Sequence, residues 1–225
     1  MRNEFISEEL IQKLKKEQNN LRQKVTITEL DISKINIIAG VDVSYFEDKA
    51  LGVVVALNKD LELIDVVYSI DKVAFPYIPG FLAFREAPII FKCFEKLREK
   101  NIVPDIVLFD GHGIAHPRGL GIASHIGVLL NIPTIGVAKR KLYGKCVEPK
   151  RVGQSTPLFD EEGKIIGYCY LPKKNSHPIY ISPGHLSSPE TSLEFVKSLI
   201  KKHKLPEPTR LAHYYTQKLK ENKNI

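Results

Sequence analysis

The chain of 225 residues carries 33 Lys and Arg against 26 Asp and Glu, a formal net charge of +7, and 43% of its residues are apolar. That is enough apolar side chain for the core of a single domain spanning 1–225; the basic balance admits a polyanionic partner and leaves a plain basic globular protein equally open. Three scattered cysteines fit neither a disulfide framework nor a zinc cluster, residues 1–24 lack the apolar stretch of a secretory leader, and no apolar run approaches the ~18 residues of a membrane span, so a cytoplasmic protein with no membrane partner is expected.

Taken in chain order, Ser7 is placed to cap a helix over residues 7–24, with Leu10, Ile11 and Leu14 at helical spacing. Its Lys13, Lys15 and Lys16 read as a solvated face, and residues 1–34 as a helical extension ahead of a core over about 35–213. The β-rich runs Ile35 to Phe46, Leu51 to Leu57 and Leu61 to Ile70 are separated by Glu47-Asp48-Lys49 and Asn58-Lys59-Asp60, which predicts an antiparallel three-strand meander. Pro76-Tyr77-Ile78-Pro79-Gly80 then breaks regular structure. A helix is expected over 81–100, a strand over 105–110 and a helix from about 118 to 130. The strand Thr134 to Ala138, a basic loop, β-type runs at 164–171 and 178–182, a helix near 188–202 and a final helix from about 208 complete the chain. This order predicts an α/β fold, a mixed sheet with helices packed on its faces.

Three carboxylates sit in costly surroundings. Asp110 ends the apolar run Ile106-Val107-Leu108-Phe109 and opens the glycine-rich stretch from Gly111 to Gly119. Asp42 lies inside Ile38-Ala39-Gly40-Val41-Asp42-Val43-Ser44-Tyr45, and Glu86 follows Phe84-Arg85. An ionised carboxylate among apolar neighbours is unfavourable unless a cation meets it. Convergence of Asp42, Glu86 and Asp110 would make a site for Mg²⁺, with Mn²⁺ as a substitute, and such ions activate water and stabilise the leaving oxygen in phosphodiester cleavage. Taken singly, each residue also fits a bland role: a bend cap, a solvent-facing helix residue, a turn.

Five blocks then carry a resemblance. Pro76-Tyr77-Ile78-Pro79-Gly80 with Phe84-Arg85-Glu86, Asp110-Gly111-His112-Gly113-Ile114-Ala115-His116-Pro117-Arg118-Gly119, Gly136-Val137-Ala138-Lys139, Ile181-Ser182-Pro183-Gly184-His185 and Arg210-Leu211-Ala212-His213 resemble the endonuclease V family, from about Ile38 to His213. The resemblance implies an RNase H-like fold and a Mg²⁺-dependent repair endonuclease that cleaves the second phosphodiester bond 3′ to deoxyinosine. It places the acidic positions on Asp42, Glu86 and Asp110, with none replaced. Some relatives act on inosine in RNA, so an RNA substrate stays open, as does an RNase H-like structure-specific binder without that activity. A monomer is expected.

The remaining site residues are read with that resemblance. Two prolines hold Tyr77 on a rigid tip, suited to a wedge that fills the gap left by an extruded base, with Ile78 in support and Gly80 closing the turn. Gly111, Gly113 and Gly121 let backbone groups approach and read hypoxanthine, with His116 in the same segment and Leu82, Ile122 and Leu142 as apolar walls. Packing is the competing use of those glycines. The stretch Lys139, Arg140, Lys141, Lys145, Lys150 and Arg151 reads as a phosphate-contacting loop, with Lys139 beside Asp110. The resemblance raises His213 from a structural histidine to one that reaches the metal through water or carries a proton.

Overall fold

The computed structural model describes residues 7–222. The first helix is α1, Glu8–Arg22, with the Ser7 hydroxyl accepting from the Leu10 amide at 3.1 Å as expected of its cap. The meander follows as β1 (Ile37–Phe46), β2 (Lys49–Asn58) and β3 (Leu63–Lys72), all antiparallel. After it come α2 (Leu82–Glu99), β4 (Ile106–Phe109), α3 (Ile122–Leu130), β5 (Thr134–Ala138), β6 (Ser155–Phe159), β7 (Ile165–Tyr170), β8 (Ile179–Pro183), α4 (Pro189–Ser198) and α5 (Glu207–Asn222). The strands form one mixed sheet in the order β3-β2-β1-β4-β5-β8-β7-β6, with β1, β4 and β5 parallel. The expected α/β architecture is therefore present, with the meander at one end of the sheet.

Both faces of the sheet are covered, which explains why its central strands read as unbroken apolar runs. Alternate residues part to opposite sides. Ala39, Val41, Val107 and Phe109 join Ile90, Leu97 and Ile126 under α2 and α3. Ile38, Ile106, Leu108, Ile135 and Val137 join Leu193 and Val196 of α4. Leu51, Val53 and Val55 meet Ala212 of α5. The start of α5 presses on β1 where Gly40 sits: a Cβ there would stand 2.1 Å from the Pro208 carbonyl oxygen.

Two elements differ from expectation. Helix α3 begins at Ile122 and not near 118, because residues 111–121 are held as a loop, with turns such as Gly119 N–H to the His116 carbonyl (2.7 Å) and Gly119 at φ +63°. Strand β6 was not expected; Pro157 lies within it, and the strand tolerates this because it is the sheet's outer strand, paired to β7 and otherwise only through a bridge at Phe159 to Lys145. Helix α1 is also more than an appendage. Leu14 packs with Ile78 and Phe81, and the Gln18 amide donates to the Gly80 carbonyl at 2.9 Å, so α1 buttresses the proline-flanked tip. Among the described residues no helix is long and apolar enough to cross a membrane.

Candidate active site

Parallel register brings the first two carboxylates together. Val41 of β1 pairs with Phe109 of β4, so Asp42 and Asp110, each the next residue, emerge side by side. Strand β4 ends there while β1 runs on to Phe46, which leaves an open edge beside Asp42. Such an edge, at the carboxyl end of parallel strands, is where open α/β sheets place their ligands.

Helix α5 closes one side of this edge. His213 Nδ1 lies 3.1 Å from Asp42 Oδ2, and the Thr216 hydroxyl donates to the same oxygen at 2.6 Å. Burial pushes the Asp42 carboxyl above its usual range and the neighbouring Asp110 charge adds to this, while Thr216 and His213 oppose it. A bound cation would relieve that penalty. One donor atom each from Asp42, Asp110 and His213 falls within 4.8 Å of the other two, a spacing that an oxygen- and nitrogen-coordinated divalent ion can span.

Glu86 approaches from the opposite face. Tyr45, three residues past Asp42 and therefore turned the other way, donates its hydroxyl to Glu86 Oε1 at 3.0 Å, and the Arg85 guanidinium lies 4.4 Å from the Tyr45 ring centre. Burial pushes the Glu86 carboxyl up to about 8, with the charges of Asp42 and Asp110 adding to the shift and Tyr45 and Arg85 opposing it. Glu86 stands outside the tight trio, yet it lines the same cavity of about 180 Å³ with Asp42, Asp110, Leu82 and Ile122. The solvent-facing alternative for Glu86 does not hold, since the residue is only 9% exposed.

The Lys139 ammonium forms an ion pair with Asp110 Oδ2. Beyond it Arg140 and Leu142 are exposed, Leu142 at 51%, so Leu142 stands at the surface while Leu82 and Ile122 wall the cavity. The loop is tied back to the glycine-rich segment by His112 Nε2 and the Arg140 carbonyl, 3.0 Å apart. His116 is buried, its Nδ1 accepts from the Arg118 amide at 3.2 Å, and burial, followed by the charges of Arg118 and His112, lowers its pKa to about 4. It is thus a neutral group at pH 7.

The glycines divide. Gly113 N–H donates to Ser182 Oγ and its carbonyl accepts from Gly121 N–H, both at 2.8 Å, while Gly121 passes its own carbonyl to His125 N–H at 2.9 Å. Their polar groups are consumed within the protein, and a Cβ on Gly121 would stand 2.3 Å from the His112 carbonyl oxygen. Both glycines are thus tied into the packing of the loop; Gly111, whose Cβ would meet only Ile122 Cγ2 at 2.6 Å, borders the cavity wall.

Tyr77 is 65% exposed between Pro76 and Pro79, as a free aromatic tip requires, whereas Ile78 is 8% exposed and anchors the tip in a cluster with Leu14 and Phe81. Gly80, at φ +81°, offers its carbonyl to both Gln18 and Arg118, the latter at 2.5 Å. Sequence reasoning missed Tyr45, Arg118 and Thr216. The hint for Thr216 was its i+3 spacing from His213 on one helix, which puts both on one face.

The endonuclease V family model matches residues 19–214. Endonuclease V of Thermosipho melanesiensis is 48% identical over 207 residues, covering 92% of this chain and 90% of the relative. The catalytic domain of human endonuclease V superposes with a TM-score of 0.89 at 31% identity, over 96% of this chain and 98% of that one. Ciona intestinalis endonuclease V, solved with a 24mer DNA containing an inosine followed by a ribo-adenosine, gives a TM-score of 0.85 at 30% identity, over 96% and 99% of the two chains.

Proposed function

We propose a metal-dependent cutting mechanism for this chain, which belongs to the endonuclease V family and is an endonuclease acting on deaminated purine in nucleic acid. The cut falls at the second phosphodiester bond 3′ to the lesion, and Mg²⁺ is the ion. The observation that carries this reading is the strand register that sets Asp42 beside Asp110, with a His213 donor atom within 4.8 Å of both. When bound, a divalent ion supplies Lewis acidity and lowers the pKa of attached water.

The chain's own residues supply the rest. Asp42 and Asp110 would hold the ion, whose charge would offset their mutual repulsion. Glu86, held by the Tyr45 hydroxyl, lines the same space as a third carboxylate that would face the ion or the water it carries. With Nδ1 directed to Asp42, His213 keeps Nε2 for a proton at the leaving oxygen or for a water. Lys139 neutralises Asp110 before substrate arrives and sets positive charge where a phosphate would sit.

Matched DNA and RNA oligonucleotides with a single inosine, incubated with Mg²⁺, Mn²⁺ or EDTA, test the reading. The expected product is one cut 3′ of the inosine, displaced by one nucleotide, with either ion and none in EDTA. Cleavage in EDTA overturns the metal reading, equal cleavage of adenine controls overturns the base reading, and cleavage of the RNA alone moves the substrate to RNA.

The exposed tip yields a separate expectation. Tyr77→Ala should lower discrimination of inosine over adenine by roughly 5- to 160-fold, the equivalent of about 1–3 kcal/mol of base–aromatic stacking, with little change in melting temperature. Ile78→Ala should do the reverse, lowering the melting temperature by exposing the cluster with Leu14 and Phe81. Selectivity and thermal melts of the two variants check this; a Tyr77→Ala enzyme of unchanged selectivity would make the residue mere surface.

A further inference from the structure

We propose that Thr216 is a positioning residue for the cation site: with His213 it clamps one oxygen of Asp42 and so fixes the carboxylate that receives the ion. The inference rests on Asp42 being a metal ligand, as argued above. Thr216 lies beyond the 19–214 span of the family match, and the spacing of the sequence blocks did not reach it.

Thr216 is fully buried on α5, one turn after His213. A buried helical threonine ordinarily satisfies its hydroxyl on the carbonyl one turn back, and the His213 carbonyl is available at 2.7 Å. Yet the same hydroxyl stands 2.6 Å from Asp42 Oδ2. A hydroxyl has one proton to give, and an anionic carboxylate at the shorter distance is the stronger acceptor. Two donors from one helix turn thus converge on Oδ2, and among the described residues no hydrogen bond falls on Oδ1. The carboxylate plane is fixed and one oxygen is kept free for a cation. Partners of this kind, hydrogen-bonded to a ligating group, typically change metal affinity 10- to 100-fold when removed. Valine would fill the same volume without the proton, and serine would keep the proton without the methyl.

The experiment is Mn²⁺ binding to the free protein by calorimetry, alongside the Mn²⁺ concentration giving half-maximal cleavage of inosine-containing DNA. Thr216→Val should weaken Mn²⁺ about tenfold and shift the half-maximal concentration by the same factor, while Thr216→Ser stays within about twofold of wild type. Thermal melts show that each variant is folded, and Thr216→Ala replaces the valine variant should that one fail to fold. Wild-type Mn²⁺ affinity in the variant lacking the hydroxyl, or a serine variant as weak as valine, would overturn the proposal. A wild-type protein that binds no Mn²⁺ would overturn the metal reading of Asp42 and the proposal with it, so the control separates the two failures.

Discussion

Replacing Asp42 or Asp110 with alanine is expected to abolish cleavage while leaving the binding of inosine-containing nucleic acid within a few-fold of wild type. Asp42 lies in β1 and Asp110 directly follows the adjacent parallel β4, so the sheet fixes the spacing of the pair. A metal's stabilisation of a phosphoryl transition state amounts to several kcal/mol, so its loss should lower the rate by about 10³-fold or more. Binding draws on other surfaces: the exposed Tyr77 tip, the cavity wall at Leu82 and Ile122, and the basic loop after Lys139. Removing Asp110 also frees Lys139 from its ion pair, and removing either carboxylate relieves repulsion of phosphate, so affinity should hold or rise. Single-turnover cleavage and equilibrium binding, measured on the same inosine duplex, separate the two effects. Cleavage within about tenfold of wild type in both variants would remove these residues from the metal site.

Much of this site was legible because it follows from strands. The apolar run into Asp110 fixed a strand ending at a carboxylate, and a glycine-rich loop after it marked an edge that backbone can approach closely. The meander and the five helices followed from turn chemistry and periodicity, since local pattern suffices for elements with one buried side. What stayed hidden depends on contacts across the sheet. The sequence does not show that Glu86 reaches the site from the face opposite Asp42, nor that Tyr45 holds it, because parity of side chains along β1 matters only once α2 and α5 are assigned to faces. Ile78 read as support for the wedge, but that α1 supplies its burial was not visible, because the contact joins elements more than 60 residues apart. Strand β6 was masked by Pro157, whose cost depends on the strand being an edge.

The glycines pose the sharpest contrast between reading a base and packing a core, and Gly113→Ala should settle it. Its backbone does not occupy the left-handed region, so an alanine would fail for want of space alone. The new Cβ would stand 1.9 Å from the Pro183 carbonyl oxygen and 2.9 Å from the Gly184 nitrogen, both main-chain atoms at the end of β8. That carbonyl already accepts from Ile114 N–H at 2.8 Å, so moving it away strains or breaks a loop hydrogen bond. Gly136 crowds from the other side, since a Cβ there would stand 2.5 Å from Gly113 N, and there is no direction in which to relax cheaply. Overpacking of this kind costs about 1–3 kcal/mol or more, which for a chain of this size lowers the melting temperature by about 2–12 °C. Asp110 lies three residues upstream on the same loop, so cleavage should fall at least about tenfold with the displaced carboxylate, while preference for inosine over adenine is kept. Gly111→Ala makes the comparison: its Cβ would meet a side-chain methyl of Ile122, which lines the cavity, so stability should change less and selectivity more. Thermal melts and paired inosine and adenine cleavage rates for the two variants give four numbers. A Gly113→Ala protein as stable as wild type but unable to discriminate inosine would return that glycine to base recognition.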